Sequence, residues 1–348
     1  MKKTVVMPEN TREKNRRAVW VLAGLTAILA VLFFCSLLLG RYRVPAWDTA
    51  KILFSKILPI EKTWDTNGEA AVLNIRLPRI LLACLVGCGL AVSGTAYQSV
   101  FRNPMAAPDI LGASSGACFG AALAILLGLP KVAVTALAFV CGLITVTAVY
   151  AIGRRTRGNP IVGLLLAGIM VGSLCSAGTS CLKLVADPSE KLPAITYWLM
   201  GSLSGARMKE LGLIAIPMLA GIVPLFLLRW RLNLLTLDEE EALSLGVDTG
   251  KLRLVTVLCA TLLTAASVSA AGMIGWVGLV IPHLSRRLAG NNCRYLIPVS
   301  MLFGAVFLLA VDDISRNLLA VEIPIGILTA FVGAPFFLCL MTGRGNAL

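Results

Sequence analysis

The sequence predicts an all-α polytopic membrane protein with about ten transmembrane helices. Three observations carry this. The 348 residues are 57% hydrophobic and 14% charged, with a mean hydropathy of +0.85, whereas soluble domains carry roughly 25% charged residues. Several charge-free stretches exceed the roughly 18 residues that mark a spanning helix, which excludes a soluble protein with an unusually apolar core. The formal net charge of +13 is basic, but no basic patch is interleaved with aromatics as nucleic-acid binding would need. Basic loops that hold one side of a membrane account for it.

The elements follow in order. Residues 1–17 are polar and basic, with Lys2, Lys3, Arg12, Lys14, Arg16 and Arg17, and are expected to form a cytoplasmic tail. The apolar run 18–40 is longer than a signal-peptide core of about 7–15 residues, so it is expected to stay as the first helix. The polar stretch 41–79, with Trp47 and Trp64, is expected outside as a loop with short interfacial helices. Further spans are expected at 80–101, 110–128, 132–153, 161–182, 211–228, 254–271, 273–284, 295–311 and 323–341. That makes ten, with both termini on the cytoplasmic side and 1–348 as a single transmembrane domain. The expected cytoplasmic segments hold 18 of the 31 Lys and Arg residues, and the short loops favour this orientation.

The spans contain no Asp, Glu, Lys or Arg. Ion-coupled carriers usually need an ionisable group in the membrane, so this speaks against such a carrier, although sodium sites can be built from carbonyls and hydroxyls. No G-x-x-x-x-G-K-[ST] loop is present, so ATP is not bound in that way and energy for active transport would come from another subunit. An intramembrane enzyme would need a nucleophile and base within reach, or a metal pair. His283, the only histidine, lies at a helix end without partners nearby in sequence, so no metal site is expected. Of the ten cysteines, all but Cys293 lie in or beside apolar runs and no CxxC occurs, so they are read as packing residues. Gly112, Gly116 and Gly120 recur at fours on one helix face, where small residues let helices approach.

Two connections carry further chemistry. Pro104 and Pro108 break the helix, so 102–109 is expected to be a cytoplasmic turn. In 232–253 the acids Asp238 to Glu241 open a short helical pattern, where negative charge suits the helix dipole. Ala242 and Leu245 share a face, and Gly246 can end the helix in a left-handed conformation. The leucines 234, 235, 237, 243 and 245 give it more apolar edge than a solvated helix needs.

Four stretches stand together in order: Arg76-Leu-Pro-Arg79 with Ser93-Gly-Thr-Ala-Tyr-Gln98; Arg102-Asn-Pro-Met-Ala-Ala-Pro-Asp-Ile-Leu-Gly112; Gly272-Met-Ile-Gly-Trp-Val-Gly-Leu-Val-Ile-Pro-His-Leu-Ser-Arg286; and Asp312-Asp-Ile-Ser-Arg316 with Glu322-Ile-Pro-Ile-Gly326 and Gly333-Ala-Pro335. Together they resemble the permease family of bacterial importers for ferric siderophores, haem and vitamin B12. Met105 stands where that family commonly has Leu, and Trp276 where Phe is usual. The resemblance implies a type II ABC importer permease fold in the bacterial cytoplasmic membrane. It also implies a second, usually identical permease, two ATP-binding subunits that carry ATP and Mg, and an external substrate-binding protein. The chain itself would bind no cofactor and be no enzyme. By the same resemblance Asn103, Pro104 and Met105 lie at the cytoplasmic gate. Leu235, Leu237, Glu239, Ala242, Leu245 and Gly246 couple to the ATP-binding subunit. Arg76, Arg79 and Arg316 meet glutamates of the binding protein, a role for which exposed basic groups at helix mouths are suited. Interfacial anchoring, or an internal i,i+4 pair of Arg316 with Asp312, is the plainer alternative. An ion-coupled secondary transporter remains the rival function.

Overall fold

The computed structural model describes residues 9–56, 58–59, 61–156, 160–237 and 239–342. Among them the chain is helical, with no strand. We call the end of the bundle that carries Arg76 the upper end, and the end that carries Arg102 the lower end.

Helix α1 (Glu9–Leu38) rises to the upper end, where the short α2 (Ala46–Phe54) lies. Helix α3 (Thr66–Ala70) runs through a π-helical stretch, Ala71–Arg76, into α4 (Leu77–Val100), making one 35-residue rod. A turn and a 3-10 segment, Pro108–Leu111, lead into α5 (Ala113–Leu126). Then come α6 (Lys131–Gly153), α7 (Pro160–Val185), the short upper α8 (Lys191–Leu199) and α9 (Met208–Leu227). At the lower end follow a 3-10 segment, Arg231–Thr236, and α10 (Glu239–Ser244). The chain closes with α11 (Thr249–Ala271), α12 (Val277–Ala289), α13 (Cys293–Asn317) and α14 (Ile325–Thr342).

Seven described helices are long and apolar enough to cross a membrane. With the shorter α5, α12 and α14 they make the ten expected passes. At 1.5 Å per residue the 13-residue α12 reaches only about 20 Å, less than a hydrocarbon core of about 30 Å. The irregular residues 272–276 precede it. Non-helical backbone at that depth is tolerated where protein buries it, and here Gly272 and Ile274 are buried.

Two expectations need correction. The 41–79 stretch is not loop up to Arg79, because the rod begins at Thr66. Pro78 has no N–H for a regular turn, and the widened π turns stand directly before it. Gly112 is not on the face of Gly116 and Gly120, because it lies before α5 with φ +74.

Helix α4 is the axis of the bundle and is buried along nearly its whole length. Lipid tails are as apolar as leucine, so helices associate through close packing and polar contacts. A Cβ at Gly87 would lie 2.2 Å from the carbonyl oxygen of Gly304 on α13, and one at Gly94 would lie 1.8 Å from that of Gly278 on α12. Gly116 meets Thr145 of α6 in the same way at 2.1 Å. Hydroxyl pairs add specificity: Thr95 donates to Ser300 at 3.1 Å, and Tyr97 bonds Thr261 at 2.8 Å.

Candidate transport sites at the two ends of the bundle

At the upper end the three candidate docking arginines converge, but inside the protein. Arg76, Arg79 and Arg316 are 4%, 6% and 8% exposed, so the expectation of exposed basic groups is corrected. Arg79 directly follows Pro78 in the first turn of α4 and faces α13. Its Nε donates to both oxygens of Asp312 at 3.0 Å, while its other arm donates to Glu322 at 2.9 Å. Arg316 pairs mainly with Asp313, one turn back on α13, and donates to the Ser36 carbonyl of α1 at 2.7 Å. Its contact with Asp312 is longer, 4.0 Å. Arg76 donates to the Leu37 carbonyl at 2.6 Å and to that of Tyr42. The physical reason is economy of charge: a buried ion must be paired or hydrogen-bonded, and three arginines here meet Asp312, Asp313, Glu322 and the backbone end of α1. Of these groups Glu322 has the most open side chain, 31% exposed.

At the lower end the turn after α4 and the connection after α9 lie side by side. Asn103, Pro104 and Met105 are exposed. The Asn103 side chain accepts from Met105 N at 2.9 Å, and Asn103 N donates back to the Gln98 carbonyl at 3.2 Å, which fixes the turn on the end of α4. The expected short helix is present as α10. Gly246 has φ +75, its N–H reaches Leu243 O at 2.9 Å, and Val247 N reaches Ala242 O at 3.1 Å. This is the paired-bond C-terminal cap in which a left-handed glycine ends a helix.

The expected apolar edge is divided between two surfaces. Leu235 and Ala242 are buried against the chain itself, whereas Leu243 and Leu245 are 57% and 62% exposed. Ala242 and Leu245 therefore do not share one outward face. Leu237 is half-buried, and the Glu239 side chain lies outside the described residues. A cavity of about 500 Å³ opens here, bordered by Gln98, Pro104, Thr236, His283 and Arg286. His283 packs edge-on to Phe336 of α14 with ring centroids 6.2 Å apart. Among the described residues no cluster of His, Cys, Asp or Glu could hold a metal ion.

Several contacts at the lower end had no sequence expectation. Arg286 donates to the Gln98 side chain, joining α12 to α4. Asn233 accepts from Cys293 N at 2.8 Å and donates to Asn292 at 3.1 Å, tying the 231–236 segment to the start of α13. Arg102 reaches from the turn after α4 to the Leu235 carbonyl at 2.7 Å and to that of Leu237. The only advance signal for these was that asparagines cap and bridge backbone ends.

The fold and its two ends define the class: a multi-pass helical membrane protein with a short helix exposed at its lower end. The chain belongs to the FecCD transport family, whose pattern matches residues 28–343. It is 41% identical over 317 residues to the molybdate import system permease protein of Haemophilus influenzae, covering 91% of this chain and 94% of the relative. It is 42% identical over 270 residues to a probable iron chelatin transport system permease of Helicobacter pylori, covering 78% and 82%. A solved inward-facing structure, described as of a metal-chelate type ABC transporter, superposes with a TM-score of 0.82 at 40% identity, covering 92% and 98%. The chain is thus the permease of an ABC importer, which replaces the ion-coupled carrier as a reading.

Proposed function

We propose that this permease carries an iron chelate or a related metal complex, such as haem or cobalamin, across the bacterial cytoplasmic membrane. The coupling part of this reading rests on the lower end, where an exposed, glycine-capped helix stands beside the turn of Asn103, Pro104 and Met105. In this reading the lower end is cytoplasmic, with both termini there. A second copy of this chain completes a homodimer, and the two copies enclose the pathway. Two ATP-binding subunits dock below and hold ATP and Mg. They engage α10 through Leu243 and Leu245 and through the edge of Leu237, Glu239 and Gly246, with Leu235 and Ala242 rooting the helix. The turn 103–105 gates the pathway.

An external binding protein docks on the upper end. Arg76, Arg79 and Arg316 shape that surface from below, and Glu322 is the member of the ion cluster open to a partner. The iron chelate is supported by the relative from Helicobacter pylori. A molybdate reading is favoured by the greater coverage of the relative from Haemophilus influenzae. Proteoliposomes with the ATP-binding subunits and binding protein would separate them: ATP-dependent accumulation of a ferric siderophore, haemin or cyanocobalamin is expected. Accumulation of molybdate alone would refute the chelate assignment, and uptake that persists without ATP would refute the importer.

A further inference from the structure

Arg102 is one of only two non-glycine residues with positive φ among those described, at +49°. Side chains rarely adopt that conformation, and bulky residues do so where the surroundings hold them. Here the conformation is accompanied by a long reach. From the turn after α4 the guanidinium crosses to a segment more than 130 residues later in the chain and donates to two backbone carbonyls, Leu235 and Leu237.

Those carbonyls occupy a particular place. Leu232 and Leu235 are buried and anchor the 3-10 segment to the bundle. Leu237 is the extended residue at which that segment ends, with φ −80 and ψ 159, and α10 begins two residues later. Arg102 thus grips the root of α10 on both sides of the change from anchored to exposed chain. On its own side it is followed directly by Asn103, whose backbone and side-chain bonds make 103–105 a rigid turn. A planar guanidinium that donates in two directions fixes orientation as well as distance, which a lysine ammonium does not. Asn233 ties the same segment to α13, so the root of α10 has one tether to α13 and one to the turn after α4.

We propose that Arg102 is the positioning residue that transmits movement of α10 to the turn of Asn103, Pro104 and Met105. This rests on the reading of α10 as the coupling element and of 103–105 as the gate. Because the acceptors are backbone carbonyls, the link is independent of the side chains at 235 and 237. A rigid displacement of α10 carries Arg102, and the turn fused to it, in the same direction.

The test uses the permease with its ATP-binding subunits in proteoliposomes, with Met105→Cys as reporter. Reactivity of that cysteine toward a bulky maleimide is read by mass spectrometry at the residue itself, nucleotide-free and after trapping with ATP, Mg and vanadate. With Arg102 intact, the two states are expected to differ at least about fivefold, the lower range of measured site-to-site couplings. Arg102→Gly keeps the left-handed turn without the link. It is expected to hydrolyse ATP at the parental rate while the difference disappears. Arg102→Lys, which keeps charge but not the two-way geometry, is expected to lose most of it.

A full difference in Arg102→Gly overturns the proposal. So does a joint fall of ATP hydrolysis and reporter difference, which would mark Arg102 as purely structural. Leu245→Arg separates this from the underlying reading. If Leu245→Arg abolishes the difference but Arg102→Gly does not, α10 couples and the link through Arg102 is wrong. If no difference exists with Arg102 intact, or Leu245→Arg leaves it untouched, the gate and coupling reading falls and the link falls with it.

Discussion

At the scale of single residues, the consequential finding is that the upper arginines are structural ions. Arg79 and Asp312 have side chains 8% and 0% exposed. Removing one partner of such a pair leaves a buried charge uncompensated, which costs about 3–5 kcal/mol, whereas replacing both by apolar groups is often neutral. Arg79→Ala is therefore expected to lower the unfolding temperature in detergent markedly, and the pair Arg79→Met with Asp312→Leu to recover much of the loss. Equal melting of Arg79→Ala and the parent would show that the pair contributes nothing. Charge reversal at Arg76 and Arg79 would report on folding before it reported on docking. A docking experiment is better placed at Glu322, whose side chain is partly open.

At the scale of elements, two glycines of different kinds give opposite expectations. Gly94 faces the backbone of Gly278 with no space for a methyl group, while nothing lies within 4 Å of a Cβ at Gly246. Gly94→Ala must push α4 from α12, and overpacking of this sort typically costs about 1–3 kcal/mol or more. Gly246→Ala meets only the left-handed backbone penalty of about 1–2 kcal/mol. In thermal scans Gly94→Ala should be the more harmful, and Gly246→Ala should leave the bundle folded. The reverse order would contradict the packing described for α4.

Much at this scale was legible in advance. Ten apolar runs stand out because lipid demands them, Pro104 and Pro108 mark the turn, and Gly246 marks the end of α10. The burial of Arg79 was not legible, since Asp312 arrives with α13, 233 residues later, and Glu322 lies beyond it, 243 residues later. Nor was the reach of Arg102, because backbone carbonyls leave no trace in side-chain sequence. The split of Leu235 from Leu245 was hidden as well: both lie in an apolar pattern, and only the docking of 231–236 on α4 and α11 decides which faces inward.

At the scale of the whole molecule, burial is uneven. The most apolar windows of α4 and α11 are 78% and 72% buried, against 28% for α7. The open face of α7 mixes Ile169, Met170 and Leu174 with exposed Ser173, Ser176 and Ser180. A second copy of the chain across such a face fits a pathway between subunits, and cross-linking of the purified complex is expected to find two permeases per assembly. One copy would refute the dimer. The upper ion cluster also bears on how the protein is made. Chains enter the membrane from the N-terminus during synthesis, so α1 arrives before α13, and its most apolar window is only 17% buried. Its upper end is fastened through Ser36 to Asp313 and Arg316, 277 and 280 residues further on. A helix made early therefore waits for one made some 280 residues later before its upper end is locked in place, which makes closure of the upper end a late step of biogenesis.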